Sequence, residues 1–287
     1  MRPANETLLA RSTPVVNALS ALRDVKAIAC FGSYAVGTFD QYSDIDLYTL
    51  CHPEIPLSAV RRDVLQQIDG IKEPQMGYVE VGWEDQWIPC GDRFWLNGVQ
   101  FDMMYNTVNW IQTVVRKVKD LGATSIPELE FRPYTMLGLL ENSVILYDCE
   151  AVFQEIITTL QPYPDKLRGN LLSQNLAMMQ GSIEELQNYV LRNIGNTAFH
   201  FHLNRVIDSL GTILFALNRR YDPATKRAET AYRELDIVPP NFLNRYNEIL
   251  EMPLTPIGRQ RIVAELEMLV REVEDLAKEQ DNAMVSG

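Results

Sequence analysis

The sequence predicts an α/β head with a mixed sheet over residues 1–149, followed by an all-α helical bundle over residues 150–287. Three observations carry that division. Lys26 to Leu50 reads as strand, glycine turn and strand. Phe94 to Tyr105 reads as two strands about an Asn97-Gly98 turn, a strong two-residue hairpin signal. From Ala151 onward nothing alternates as a strand does, and a helical pattern is punctuated by Pro162, Pro164, Pro223, Pro239, Pro240, Pro253 and Pro256. With 46% hydrophobic and 22% charged residues the composition is that of an ordinary globular chain, and 287 residues suffice for one large or two ordinary domains.

In order, Val15, Val16, Leu19 and Leu22 recur at helical spacing and predict a helix over 14–24 after a polar lead. Ala27 to Phe31 is a short buried-strand run that Gly32-Ser33 breaks, and Asp44 to Tyr48 resumes as a strand. Ser58 caps a helix bearing Val60, Val64, Leu65 and Ile68, which Gly70 ends. Gly77 to Trp83 alternates as a further strand. Trp83, Trp87 and Trp95 are dense enough to stack a ring, but packing is the preferred reading for indoles. Asn106 or Thr107 caps a helix with Val108, Ile111, Val114, Val115 and Val118 on its apolar side. A helix at 134–141 leads to a last strand at 143–147. The final helix carries Ile262, Leu266, Leu269, Val273 and Leu276 at alternating spacings of four and three, so it docks on a bundle or on a second subunit.

The chemistry concentrates between Gly32 and Asp46. A glycine-serine turn that opens a helix leaves backbone amides and a hydroxyl ready for phosphate oxygens. Asp44 and Asp46, two apart on a strand, share a face while Ile45 and Leu47 enter the core. Like charges so placed repel, and a divalent cation resolves the repulsion; two solvated aspartates on an exposed strand face are the plain alternative. Asp102, between Phe101 and Met103 on the outgoing hairpin strand, is costly to bury alone and calls for a partner. A structural salt bridge would also satisfy it.

Gly32-Ser33 followed eleven residues later by Asp44-Ile45-Asp46 resembles the signature of the nucleotidyltransferase superfamily of DNA polymerase beta-like enzymes. The resemblance implies that Asp44, Asp46 and Asp102 bind one or two Mg²⁺ ions, that Gly32, Ser33 and Ser43 meet the nucleotide, and that an NTP, ATP first, is the substrate. The helical half resembles that of aminoglycoside and lincosamide nucleotidyltransferases. A line of Asn204, Asp208, Gly211, Phe215 and Asn218 follows one side of a helix, and Arg219, Arg220, Lys226 and Arg227 come after it. By that resemblance Asn204 and Asp208 line a substrate cleft between the two domains and Lys226 reaches the triphosphate. The whole resembles a bacterial family with a nucleotidyltransferase domain and a helical C-terminal domain of unknown function, in which a Phe-Ala-Leu-Asn-Arg-Arg-Tyr segment followed by Pro and Lys recurs. No position matches a general base clearly; Glu80 and Glu84, beside the strand before the hairpin, are the candidates.

The implied reaction is Mg²⁺-dependent transfer of AMP to a hydroxyl of a small molecule, antibiotic-modifying enzymes being one model. AMP transfer to a protein, as in nucleotidyltransferase antitoxins, and a nucleotide-binding module without turnover are the alternatives. A net charge of −12 and pI of about 4.8 argue against a polynucleotide surface and suit a cationic small substrate. Neither a run of about 18 apolar residues nor a signal-peptide core is found, so a cytoplasmic protein that meets no membrane is expected, as monomer or homodimer. Cys30, Cys51, Cys90 and Cys149 form no Cys-x-x-Cys pair and read as free thiols. His52 reads as a loop residue, and His200 and His202 as packing residues.

Overall fold

The computed structural model describes residues 5–78, 87–127, 129, 131–223, 226 and 228–286. The chain divides into two compact units, Met1–Pro162 and Tyr163–Gly287. The division lies beyond residue 149 because the 3₁₀ turn Cys149–Ala151 and helix α6 (Val152–Thr159) pack with the first unit. Asp148 ties them there, its carboxylate accepting from the amides of Phe153 and Gln154 at 2.9 Å each.

The first unit is built on a six-stranded mixed sheet. Its strands are β1 (Val25–Phe31), β2 (Ile45–Cys51), β3 (Ile71–Tyr78), β4 (Cys90–Leu96), β5 (Val99–Thr107) and β6 (Val144–Asp148), in the order β3-β4-β5-β2-β1-β6. Among the described residues only β2 and β5 pair in parallel. The hairpin forms as the sequence predicts: Asn97 and Gly98 both have positive φ, 52° and 80°, as a tight turn between twisted strands demands. Helices α1 (Glu6–Ser20) and α3 (Ser58–Leu65) cover one face. There Leu8, Val15, Leu19 and Leu65 join Ile28, Ile45, Leu47, Phe101 and Met103 in one core. Helix α2 (Gly32–Val36) follows β1 directly, α4 (Val108–Leu121) starts at its Thr107 cap, and α5 (Pro133–Glu141) precedes β6.

Three elements differ from the sequence reading at their boundaries. Helix α3 has Leu57 rather than Ser58 as its N-cap and ends at Leu65, before Gly70. Helix α1 begins at Glu6 rather than near Pro14, because the Asn5 side chain accepts from the Leu8 amide and caps it; Pro14 is carried inside. Strand β3 runs from Ile71 to Tyr78, earlier than the Gly77–Trp83 alternation suggested. Pro74 lies within it, which an edge strand tolerates, and the register with β4 shifts between Lys72 and Gln75 around it.

Buried between α3 and the sheet, Arg61 forks onto Asp92 with two bonds of 2.7 Å, stacks over Tyr105 at 4.4 Å and donates to the carbonyl of Pro56. Asp92 also accepts from the Gly77 amide at 2.8 Å, so both charges are compensated out of water. Asp92→Ala strands a buried guanidinium and is expected to cost about 3–5 kcal/mol in urea unfolding, a loss that an exposed carboxylate such as Asp120 would not cause.

The second unit is helical: α7 (Asp165–Arg192), α8 (Asn196–Leu217), α9 (Ala228–Tyr232), α10 (Phe242–Glu251) and α11 (Pro256–Ser286). Helices α7 and α8 form an antiparallel hairpin turned through Asn193 and Gly195, both of positive φ, and α11 packs on the pair through Ile262, Leu266, Leu269 and Val273. Polar pairs fix its register, Gln187 to Glu267 at 2.7 Å, Gln180 to Glu274 at 2.8 Å and Arg168 to Asp281 at 2.8 Å. Among the described residues no helix is long and apolar enough to cross a membrane.

Cys30 and Cys51 are fully buried in the sheet. Burial, and for Cys30 also the charge of Asp46, raises both thiols, Cys51 to about 12. Since the thiolate is the reacting species, a raised pKa suppresses attack at a given pH. Both are expected to resist a disulfide reagent at pH 8 in the folded protein and to react once guanidinium unfolds it, read by mass spectrometry.

Candidate active site

The site follows from strand register. In the parallel pair, Asp46 of β2 lies opposite Asp102 of β5. Asp44 stands two residues before Asp46, just ahead of the strand. One oxygen from each of the three carboxylates lies within 4.8 Å of the others. At an effective dielectric of about 20, two unit charges at that distance repel by on the order of 3 kcal/mol, so the cluster calls for cations.

One cation is built in. Asp102, 5% exposed, accepts from Arg93 Nε at 2.5 Å and Nη2 at 2.8 Å, and from Gln100 Nε2 at 3.3 Å. This fork meets the need for a partner that the sequence signalled at Asp102. Metal binding remains open to it, since a carboxylate offers about four acceptor positions and Arg93 and Gln100 take only part of them. Arg93 was legible in the sequence. A two-residue turn pairs positions equidistant from it, so Asp102, four after Gly98, faces Arg93, four before Asn97.

Gly32 is the other fixed point. Its φ is 71°, and Asp46 Oδ2 occupies the space that a Cβ at residue 32 would fill. Ser33 is buried at 5% exposure beside it. Helix α2 is barely more than one turn, too short to build a macrodipole, so any anion affinity there belongs to the local amides. Ser43 is engaged in the loop: its hydroxyl accepts from the Asp40 amide at 2.9 Å and donates to Asp40 Oδ1 at 3.1 Å, closing the turn that delivers Asp44.

The same sheet face continues with Tyr48, two after Asp46, and Asn106, four after Asp102. Trp87 is packed on Tyr48 with ring centroids 4.5 Å apart, and its carbonyl accepts from the Tyr48 hydroxyl and from Asn106 Nδ2 at 3.0 Å each. That confirms Trp87 as a packing indole, whereas Trp95 is 41% exposed and Trp83 lies outside the described residues. Glu80 and Glu84 also lie outside the described residues.

In the helical unit, Asn204 and Asp208 line one cavity together with Gly211. Asn218, on the same line of α8, is occupied elsewhere: it donates to the carbonyls of Leu214 and Ile237 and accepts from the amides of Asp236 and Ile237. The cationic run after α8 is divided into ion pairs, Arg219 to Asp165 at 2.6 Å and Arg220 to Glu234 at 2.9 Å, while Lys226 is exposed and Arg227 lies outside the described residues. His202 packs between Tyr189 and Phe201, but His200 is exposed on α8 rather than packed, since the buried side there passes through Phe199 and Leu203.

A mixed sheet with a Gly-Ser turn, Asp-x-Asp at the start of the next strand and a third aspartate on the parallel neighbour defines a nucleotidyltransferase head. Residues 15–76 match the family model described as nucleotidyltransferase domain, and residues 131–227 match that described as domain of unknown function (DUF4037). The chain thus carries a nucleotidyltransferase domain on its N-terminal side and a DUF4037 domain after it. The second match begins in the first unit at α5 and extends into the second. Among solved structures, a nucleotidyltransferase-like protein from Exiguobacterium sibiricum is 10% identical with a TM-score of 0.46, covering 94% of this chain and 77% of that one. No curated protein matches.

Gly32 and Gly37 separate geometry from strain. Both have positive φ, but a Cβ at residue 37 meets nothing within 4 Å. Alanine at either position is expected to cost about 1 kcal/mol of stability. Only Gly32→Ala also displaces Asp46, so only that variant should lose Mg²⁺ affinity in calorimetric titration.

Proposed function

We propose that the chain transfers a nucleoside monophosphate, AMP from ATP, to a hydroxyl of a small molecule and releases pyrophosphate. The observation that carries this reading is the convergence of the Asp44, Asp46 and Asp102 oxygens within 4.8 Å beside the Gly32-Ser33 turn. Three hard oxygen donors suit Mg²⁺, which is commonly held by one or two carboxylates together with substrate phosphates. Bound there, the metal supplies positive charge to the triphosphate and to the charge developing on its α-phosphate.

The chain's own residues then act by position. Asp46 is held against Gly32, and Asp102 is held by Arg93 and Gln100, so neither carboxylate swings freely. The acceptor oxygen forms a bond to the α-phosphorus as the bond to the bridging oxygen breaks, and the leaving pyrophosphate takes that electron pair. The acceptor proton passes to a base, for which Glu80 and Glu84 stand as the candidates, directly or through one water. In this reading Gly32 and Ser33 contact the nucleotide, and NTP and acceptor are the partners rather than nucleic acid or membrane.

The test is thermal melting with each of the four NTPs, with and without Mg²⁺, on wild type and Asp46→Asn. A ligand at 100 times its Kd stabilises the native state by about 2.7 kcal/mol. The expected outcome is a Mg²⁺-dependent rise confined to wild type, with pyrophosphate release falling by roughly 10²-fold or more in the variant. An equal rise in both proteins would remove the metal role of Asp46, and no rise with any nucleotide would favour a module without turnover.

A further inference from the structure

A cavity of about 600 Å³ opens beside the hairpin turn, lined by Gly70, Lys72, Trp95, Asn97 and Gly98. Strand pairing puts its indole on the carboxylate face of the sheet. Trp95 stands two residues from Arg93, whose guanidinium reaches Asp102, so the two side chains share that face. Across the ladders Trp95 pairs with Gln100 of β5 on one side and with Lys72 of β3 on the other. Gln100 reaches Asp102 from the same face. The row Lys72, Trp95, Gln100 therefore leads across three strands to the aspartates. Neighbouring strands lie about 4.8 Å apart, so Trp95, two strands from β2, stands on the order of 10 Å from the β2 carboxylates, the length of one small molecule.

The groups in this cavity are uncommitted. The Trp95 indole is 41% exposed, whereas Trp87 is closed against Tyr48. Among the described residues no ring stacks on Trp95 and no cation covers it, and Lys72, exposed on the edge strand, forms no ion pair. Gly70 shapes the end wall: its φ is 88°, and a Cβ there would meet Asn97 Oδ1 at 3.0 Å, so the turn after α3 lies against the hairpin turn. A lysine on an edge strand deters pairing with other sheets, but that role asks for no indole beside it. An open indole face stacks planar rings, and an unpaired ammonium attracts an anion. The row is also directional, negative at the aspartates and positive at Lys72, so an anionic group is drawn to its outer end. The net charge of −12 favours cations at long range, but screening confines that field to about 8–10 Å, and at contact Lys72 decides.

We propose that this cavity binds a planar ring bearing a carboxylate or phosphate, with the ring face on the Trp95 indole and the anion at Lys72. Held in that direction, the far edge of the ring points along the row toward Asp102, and a hydroxyl there is presented to the α-phosphate. This role as nucleotidyl acceptor rests on the function proposed above; the binding itself does not.

The probe is 6-hydroxy-2-naphthoate at millimolar concentration, followed through the indole N–H signals of the four tryptophans, with the Trp95 signal assigned as the one that Trp95→Ala removes. Controls are 2-naphthol, which lacks the anion, cyclohexanecarboxylate, which lacks the planar ring, and 2-naphthylmethylamine, which carries the opposite charge. The naphthoate is expected to shift the Trp95 signal, 2-naphthol to bind more weakly, and the other two not to bind. By saturation-transfer NMR, Trp95→Ala should weaken the naphthoate about tenfold or more. Lys72→Gln should weaken it about threefold and leave 2-naphthol unchanged, with the melting temperature unchanged in both variants. No shift at Trp95, equal binding of naphthoate and amine, or naphthoate binding that survives Trp95→Ala would overturn the proposal. Displacement of the naphthoate by ATP without Mg²⁺ would give the cavity to the nucleotide base and overturn it as an acceptor site. Asp46→Asn separates the two readings, since it should abolish the Mg²⁺-dependent nucleotide response and leave naphthoate binding intact. Nucleotide turnover without naphthoate binding sinks this inference alone, and naphthoate binding without nucleotide response sinks only the transfer reading.

Discussion

The single parallel pairing in the sheet, β2 against β5, is the constraint on which the rest depends. It sets Asp46 opposite Asp102, and a slip by one residue would turn one carboxylate into the α1 and α3 core. The register is held from both faces. Beneath, Ile45, Leu47, Phe101 and Met103 are fully buried; above, Trp87 bonds through one carbonyl to Tyr48 of β2 and Asn106 of β5, stapling the two strands past the acidic cluster. A concentration of negative charge that would otherwise loosen the sheet is therefore placed at its most tightly specified junction.

Strand β4 contributes to both faces with adjacent residues. Asp92 and Arg93 point to opposite sides. Asp92 receives Arg61 from α3 and fixes the helix to the sheet, whereas Arg93 crosses to Asp102 and fixes a carboxylate of the site. The two pairs use the same chemistry to different ends. Arg61 and Asp92 are both withdrawn from solvent, at 2% and 0% side-chain exposure, and serve stability; Arg93 remains 27% exposed at the site.

Much of this was legible in the sequence, and the reasons are local. Gly32-Ser33, Asp44-Ile45-Asp46 and Asn97-Gly98 announce backbone geometry that few other residues adopt, and the hairpin turn also implies the Arg93–Asp102 pairing by counting. The edge strand β3 was harder, because Pro74 interrupts alternation and only its edge position, a property of the whole sheet, makes the proline acceptable. The start of α1 was obscured because Pro14 reads as a beginning when it is an interior residue. Ser43 shows the limit of motif transfer: its hydroxyl is committed to Asp40, a local loop function that a residue type beside an acidic motif does not reveal.

The polar line along α8 shows why position on a helix side does not by itself assign a function. Asn218 and Asp208 are separated by under three turns and read alike in the sequence. Asn218 meets the returning chain at Asp236 and Ile237 and satisfies four backbone groups, so its polarity is used up in holding the loop. Toward the other end the helix meets α9 and α10 through tyrosines, and Gly211 removes the side chain that would have closed the gap. Asn204 and Asp208 line a cavity there. Whether a polar residue becomes a clamp or part of a cavity wall is decided by what the next element brings against it, and here α9 and α10 bring the rings of Tyr232 and Tyr246.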